Sequence, residues 1–417
     1  MSASPKSSKK RLLLLGGGME QLNALRIAKE LGADVVVFDG NEMAPCAVEA
    51  TDFQQVNIKN RQELLAAAGK MNIDAVFVHA AELAVEAAAV AEHFNLPGLP
   101  VSVAEVGTDK TLRSACLAEA GIRVPKFVGL KAIDDLDTWM EAARAIGFPM
   151  IVKPTGLAGA RGVEFIRDAN ALESYYERKH ALAADKFQCE EFVQGEQLST
   201  ESVVIGGKVA SIAVAARHYD TTADLWPFQI EDGHSMPWPD PTNLMPEIQA
   251  ITEKCRAAFG MQDGVLKGDL VLAENGEIIV LEMAVRTSGG RFCDTVAPLS
   301  SGVNILYPLL QMALGLKPEL SFLRATKENG VSQRFVLIPA GTPLRHSKKI
   351  EHILLQPGIV GHWFRDDLQS LTEAPVITSH RDRIGYVICT GKSRALADEK
   401  AKRVVAELQM AMTPEGT

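Results

Sequence analysis

Over the first hundred residues, three apolar runs of strand length alternate with three amphipathic stretches, and that order restricts the fold more than any other feature of the chain. RLLLL, ADVVVFD and DAVFVH begin at Arg11, Ala33 and Asp74, while residues 19–31, 61–71 and 83–94 place apolar side chains at helical spacing. A strand followed by a helix before the next strand pairs in parallel, because the helix carries the chain back to the end where it began. Helices then cover both faces of the sheet. Residues 11–107 are therefore expected to form a covered α/β lobe, preceded by a flexible, lysine-rich tail over residues 1–10.

That lobe is Rossmann-like, and a different pattern follows it. A helix over 109–120 is stopped by Gly121, and one over 133–146 leads through Gly147 and Pro149 into the strand MIVKP. A glycine-rich loop and the run KFQCEEFV come next. Residues 201–285 read mostly as antiparallel strands around one loop, 226–246, whose Pro, Asp and Trp content resists regular structure. From about residue 330 the short strands SQRFVLIPA and RIGYVICTG and a helix over 395–412 close the chain. The reading gives a central domain over 108–325, with a lid over about 150–200, and a C-terminal α+β domain over 326–417.

The formal net charge of -9 provides no basic surface to gather phosphates, so nucleic acid is not an expected partner. Cys46, Cys116, Cys189, Cys255, Cys293 and Cys389 contain no CxxC pair and the histidines no HExxH, which argues against a zinc site or a disulfide framework. The apolar run Leu12 to Leu15 ends in three glycines rather than a cleavage site. No stretch approaches the roughly 18 apolar residues of a membrane span. The expectation is a cytoplasmic protein with no membrane partner.

Gly16-Gly17-Gly18 after the first strand, with Asp39 ending the second, imitates a dinucleotide-binding turn. The third glycine of that fingerprint falls on Gln21, and any tight strand–helix turn favours glycine. A structural turn or an edge of a substrate pocket stands beside the nicotinamide or flavin reading.

The strongest local signal is KGDLVLAENGEIIVLEMAVR. Asn275-Gly276 suits a two-residue hairpin turn with positive φ at both residues, which would set Asp269 opposite Glu282. Directly opposed Cβ atoms lie about 4.5–5.5 Å apart. Two carboxylates that close repel unless a cation lies between them, which points to Mg²⁺ or Mn²⁺; the alternative is an ordinary half-exposed hairpin with solvated acids. Alternation places Lys267, Ala284 and Arg286 on the carboxylate face and Leu270, Leu272, Ile279, Leu281 and Met283 on a core face.

Four stretches in order, GTDKTLRSACLAEAGI, VKPTGLAGARGV, CEEFVQGEQL and the hairpin ending LEMAVRTSGG, together resemble the ATP-grasp superfamily of carboxylate–amine ligases over about residues 12–315. The resemblance implies an ATP-grasp fold, α/β and α+β and multidomain, with a Rossmann-like pre-ATP-grasp domain and a closing C-terminal domain, and ATP with Mg²⁺ (or Mn²⁺) as cofactors. It implies that Lys110 and Lys153 reach the nucleotide phosphates. It makes 156–162 a flap, in which Gly159, Ala160 and Gly162 bring backbone N–H groups to phosphate and Arg161 adds charge. Glu190, Glu191, Phe192 and Val193 resemble the hinge that holds adenine. The family's ribose glutamate falls on Gln197, a departure, and a one-residue shift assigns that contact to Glu196. Asp269 and Glu282 are the implied metal ligands. Ala284 stands where the family carries an asparagine, which puts the second of two metals in doubt. Arg286, with Lys153, is the implied catalytic charge.

WPFQIEDGHSMPWP, with Phe228, Glu231, Gly233, His234 and Pro237, is similar to a motif of ATP-grasp ligases that build dipeptides, as is the C-terminal run RIGYVICTGKSRALADEKA. This implies substrate contacts at His234, Arg286, Gly289, Gly290 and Arg291; a loop-holding His234 and a surface Arg291 are the plainer alternatives. The implied reaction passes a carboxylate through an acyl phosphate to an amine, with small-molecule substrates and a homodimer as expectations. A purine-pathway ligase, a biotin-carboxylase-like enzyme and a NAD-dependent oxidoreductase are the rivals.

Overall fold

The computed structural model describes residues 9–240, 242–345 and 347–414; residues 1–8 of the expected tail lie outside the described residues, as do Pro241 in the expected loop and the last three residues of the expected C-terminal domain. Four parallel strands, β1 (Arg11–Leu15), β2 (Asp34–Asp39), β3 (Asp52–Gln55) and β4 (Ala75–Val78), lie in the order β3-β2-β1-β4. Their runs of Leu and Val are buried on both faces, as a sheet covered by helices requires. The helices Leu22–Glu30, Arg61–Ala68 and Ala84–His93 fall where the periodicity puts them. The helix Leu306–Ala313, grouped by sequence with the central domain, packs against the first helix in the same core.

A small antiparallel sheet contains β5 (Phe127–Lys131), β6 (Met150–Pro154), β7 (Glu164–Ile166) and β8 (Lys186–Glu191) in the order β5-β8-β6-β7. Trp139, Tyr175 and Phe187 fill its core under the helices Leu136–Ile146 and Ala169–Arg178. The remaining strands form one eight-stranded sheet: β9 (Gly195–Ile205), β10 (Lys208–His218), β11 (Gly233–Met236), β12 (Gly264–Ala273), β13 (Ile278–Ala284), β14 (Gly330–Val336), β15 (Ile359–Phe364) and β16 (Gly385–Gly391), in the order β13-β12-β9-β10-β11-β14-β16-β15.

Several features differ from the sequence reading, which contained neither β3 nor β15. Helix Val101–Thr108 precedes the one expected at 109–120, and Gly107 lies so near Val285 that a Cβ there would meet it at 2.5 Å. Helix Met245–Ala258 occupies a region read as strands, started by Pro246 in its first turn. Inside the supposed loop, Gly233–Met236 is a strand between β10 and β14. The C-terminal segment thus continues the central sheet rather than sitting beside it. Helix Arg394–Met412 covers one face of β14 and β16, and the opposite face turns toward residues 292–301.

Candidate active site

Asp269 does pair with Glu282 across β12 and β13, but not through the expected turn. The Ala273 amide bonds the Glu277 carbonyl at 2.9 Å, closing a three-residue turn over 274–276 in which Gly276 alone adopts positive φ, 84°. That turn by itself would bring Leu281 opposite Asp269. A bulge between Leu270 and Asp269 restores the register: Leu270 faces Val280, and Asp269 faces Glu282. The bulge also corrects the expected core face. Ile278 and Val280, with Met283 and Val285 beyond the bulge, pack into the core with Leu270, in place of Ile279 and Leu281.

Both carboxylates are held ionised. Burial opposes the charge on Asp269, yet Arg217 at 3.2 Å and Lys267, its ion-pair partner, lower its pKa. Glu282 is half-buried, which likewise opposes its charge, and Arg113 at 3.6 Å, Lys267, Lys110 and Arg286 hold it well below the usual carboxylate range. The neighbouring Glu282 raises Asp269 somewhat, as like charges in one site do. Two hard oxygen ligands, both anionic, fit Mg²⁺ or Mn²⁺. Among the described residues no group of three or more His, Cys, Asp or Glu side chains is placed to hold a metal, so phosphate oxygens and water would complete the shell.

On the nucleotide side, Lys110 donates to the carbonyls of Thr155 (3.1 Å) and Leu157 (2.8 Å) at the root of the glycine-rich loop. Burial pushes its ammonium down to about 8, against the pull of Glu282. Lys153 on β6 pairs with Glu190 on β8 at 2.6 Å, and Gln188 donates to the same carboxylate at 2.9 Å. Glu191, expected beside it, turns away: its carboxylate accepts from Arg123 at 3.2 Å and from the Lys126 amide at 3.1 Å, which leaves only its backbone for a ligand. Phe192 meets Phe165 edge-on at 4.8 Å, and Phe165 in turn meets Trp226 at 4.0 Å; Val193 follows at the hinge, half-buried.

Strand alternation puts the two candidates for the ribose contact on opposite faces of β9. Gln197 lies opposite Val271 on the face of Ser199, whose hydroxyl donates to Asp269 at 3.0 Å. Glu196 points to the opposite face and accepts from the Trp238 indole at 3.2 Å. The expectation for Glu196 is therefore corrected: Gln197 shares the face of the carboxylates. In the loop, Gly159, Ala160 and Gly162 all adopt positive φ. The Gly159 carbonyl accepts from the His380 amide at 2.9 Å, so the loop rests on the C-terminal segment. Arg161 bonds the Ala158 carbonyl at 3.2 Å, and burial with the nearby Arg381 lowers its pKa.

Beside the carboxylate pair lies Arg217, to which no motif pointed. Its guanidinium spans Asp269 and Glu231, the latter at 3.0 Å. Burial works against the charge on Glu231, but Arg217 and His234 hold it well below the usual range. The Glu231 carboxylate faces His234 Nδ1 at 3.2 Å, and His234 Nε2 is buried with no partner among the described residues. His234 lies edge-on to Phe292 at 5.6 Å.

Arg286 is half-buried against Glu82 at 2.5 Å; although desolvation disfavours its charge, Glu82 and Glu282 raise its pKa. Beyond it, the Ser288 amide and hydroxyl bond Glu201, a carboxylate that burial raises to about 7. Gly289 approaches Glu20 so closely that a Cβ would lie 3.0 Å from its carboxylate, and the Gly290 amide donates to Glu20 at 2.9 Å. Arg291, held in the left-handed region at φ 65°, pairs with Asp294 at 2.9 Å and is partly exposed. Strain of that kind in a non-glycine residue persists where the surroundings demand it.

Glu20 lies two residues after the Gly16–Gly18 turn. The turn thus borders the Gly289–Arg291 segment through Glu20, while Asp39 accepts from the Gly17 amide at 2.7 Å and the Asn41 amide at 2.8 Å, so its carboxylate is engaged within its own loop. Arg113, Arg217, Glu20, Glu82 and Glu201 lay beyond sequence reasoning. Only tertiary pairing marks them, apart from Glu201, whose place two residues from Ser199 on β9 follows from alternation.

Residues 109–218 match the model of the carbamoyl-phosphate synthase L chain, ATP binding domain. The chain is 25% identical over 251 residues to alanine–anticapsin ligase of Bacillus subtilis, covering 55% of this chain and 51% of that one. It is 24% identical over 416 residues to phosphoribosylamine–glycine ligase of Streptomyces coelicolor, covering 95% of each. The crystal structure of L-amino acid ligase from Bacillus licheniformis superposes with a TM-score of 0.77 at 18% identity, covering 96% of this chain and 98% of that one. The matched span is about half the length of the anticapsin ligases and 65% of the Sinorhizobium fredii protein y4rH. The fold is the multidomain ATP-grasp fold. Residues 109–218 are thus similar to an ATP-binding domain, and two of the relatives named are ligases. Among the described residues no helix is long and apolar enough to cross a membrane.

Proposed function

We propose that this protein is an ATP-dependent carboxylate–amine ligase acting on amino acids, releasing ADP and phosphate through an acyl phosphate. The observation that carries the reading is a continuous line of charge: Asp269 and Glu282 opposed, Lys110 near Glu282, and Arg217 running from Asp269 to Glu231 and His234. Asp269 and Glu282 would hold Mg²⁺, which would supply neutralisation of the phosphate charge. Lys110, Lys153 and the amides of Gly159, Ala160 and Gly162 bind the phosphates, and Phe192 and Val193 line the adenine side. Arg286 steadies the charge that moves with the γ-phosphoryl group as the substrate carboxylate attacks it. The loop excludes water from an acyl phosphate that would otherwise hydrolyse.

His234 suits the second step. With Nδ1–H donating to Glu231, its Nε2 carries a free lone pair toward the substrate side and accepts the proton an ammonium must lose before attack. The Gly289–Arg291 turn, with Arg291 as a fork, holds a substrate carboxylate. A homodimer and a cytoplasmic setting complete the proposal; the six cysteines are all free, which suits a reducing compartment.

Phosphate release from Mg-ATP, measured with amino acids singly and in pairs and with mass spectrometry of the product, tests this. Release that needs two amino acids and yields their amide supports it; release that needs bicarbonate alone would replace it with a carboxylase. The nearly full-length match to phosphoribosylamine–glycine ligase favours a second reading, and turnover with phosphoribosylamine and glycine but with no other amine would establish that one instead.

A further inference from the structure

The wall that carries His234 continues one strand further, into the C-terminal segment. Gln333 on β14 is the cross-strand partner of His234 on β11, and its partner on the other side is Ile388 on β16. Residues opposed in this way share a face. The neighbours Ser332 and Arg334 point the other way, toward helix Arg394–Met412, where Asp398 accepts from them at 2.8 and 2.7 Å. Alternation therefore aims Gln333 at the opposite face, where Met236, Val331 and Ile388 lie under Phe292 and Val296.

Gln333 is fully buried, and neither its Nε2 nor its Oε1 has a hydrogen-bond partner among the described residues. A buried carboxamide with both ends unbonded is unfavourable for folding alone, since nearly every buried polar group is satisfied. Beside it, His234 Nε2 is in the same condition. Two adjacent strands thus present an imidazole and a carboxamide with free valences to one side of the sheet, in the midst of apolar side chains.

We propose that Gln333 is a specificity-determining residue that selects a neutral hydrogen-bonding group, a carboxamide or a hydroxyl, at the end of the amino-acid substrate remote from the phosphates. The strand order β12-β9-β10-β11-β14 sets the direction: β14 lies beyond His234 on the side away from Asp269. The neutrality of the group follows from what a carboxamide offers, one donor group and one acceptor and no charge. A charged substrate group there would be left without a counterion, because the charges two residues further along are already opposed: Arg383 stacks on Phe335 at 3.5 Å and donates to the Glu231 carbonyl, facing the Glu231 charge.

The inference rests on the amino-acid ligase reading, and the test separates the two. Wild type and Gln333→Met, which keeps the length of the side chain and removes its polarity, are compared by phosphate release from Mg-ATP with serine, threonine, asparagine and glutamine and with alanine, valine, leucine and methionine, each paired with every other. Wild type is expected to favour one of the neutral polar amino acids over its apolar counterpart by roughly tenfold or more in kcat/KM, about what one or two lost hydrogen bonds amount to. Gln333→Met should erase or invert that preference while KM for ATP stays within about twofold. Its Tm, without substrate, should hold or rise, because an unbonded polar group leaves the core. An unchanged order of preference in the variant overturns the proposal, as does a lowered Tm with uniformly reduced turnover, which would mark Gln333 as structural. A wild-type preference for apolar or charged amino acids overturns it too. If wild type binds Mg-ATP but releases no phosphate with any amino acid, the ligase reading itself fails and takes this one with it.

Discussion

Replacing Glu282 with glutamine tests the centre of the site most directly. The substitution keeps volume and an acceptor oxygen but removes one of the two opposed charges. Arg113, whose side chain is 3% exposed, loses its ion partner at 3.6 Å. At that separation, with an effective dielectric constant near 20, the direct attraction is about 4–5 kcal/mol. Leaving a buried charge unpaired costs roughly 3–5 kcal/mol, and the retained amide oxygen puts the expected loss near the low end. Against a total stability of about 5–15 kcal/mol the protein should remain folded with a lower urea midpoint. Turnover should suffer far more. Loss of a group aimed at the charge of the transition state typically lowers kcat by about 10²–10³-fold. The charge balance adds a sharper expectation. With Glu282 neutral, Lys110, Lys267, Arg113 and Arg286 face one fewer anion, so the affinity for ATP without Mg²⁺ should hold or rise while the stimulation by Mg²⁺ fades. The assay is phosphate release across a Mg²⁺ titration, beside calorimetric binding of ATP in EDTA. Undiminished turnover with an unchanged Mg²⁺ requirement would refute the assignment of Asp269 and Glu282 as the metal pair.

Because burial lowers Lys110 to about 8, its charge toward ATP is present below that pH and lost above it; KM for ATP should climb by up to about tenfold per pH unit beyond 8, and Lys110→Arg should remove the climb. The same depressed value acts oppositely on folding: the unfolded lysine keeps its proton up to about 10.5, so stability should rise by about 3 kcal/mol at most between pH 8 and 10.5, seen as rising urea midpoints. Glu201 carries the reverse sign for a carboxylate. Burial raises it to about 7 from 4.5, so the folded protein holds a proton the unfolded chain releases, and stability should fall as pH rises through that window; Glu201→Gln should flatten the fall, and an equal slope in the variant would contradict the buried-acid assignment. Arg217→Lys reaches one carboxylate at a time and should lower kcat/KM for the amino acids by about 10–100-fold with the fold retained; unchanged kinetics would show that the bridge between Asp269 and Glu231 is idle.

The first lobe was legible almost element by element, because runs such as RLLLL and DVVVFD are buried on both faces and local periodicity alone separates strand from helix. Helix Met245–Ala258 was not. It follows a loop dense in proline, and its apolar positions are too sparse to stand out from neighbouring strands. The strand Gly233–Met236 is four residues long and exists because β10 and β14 flank it, a condition no local window contains.

The Asp269–Glu282 pair shows how a correct pairing can come from a mistaken turn. Asn275-Gly276 suggested a two-residue loop, and two displacements cancel: the turn takes one residue more, and the bulge beside Glu282 takes up the difference. The outcome was constrained by burial rather than by turn chemistry. A slipped register would turn Asp269 or Glu282 toward Met283, Val280 and Leu270, where an ionised group has no counter-charge, whereas on the other face Arg217, Lys267 and Arg113 await them. The lysines and glycines of the nucleotide side were readable because they cluster along the chain. The proposed substrate side is assembled by lateral order across five strands, from Asp269 through Arg217 and His234 to Gln333, and the last two of those meet only because a segment nearly one hundred residues away inserts β14 next to β11. Specificity in such a site depends on sheet order, which is why motifs reveal that ATP is handled here long before they reveal for whom.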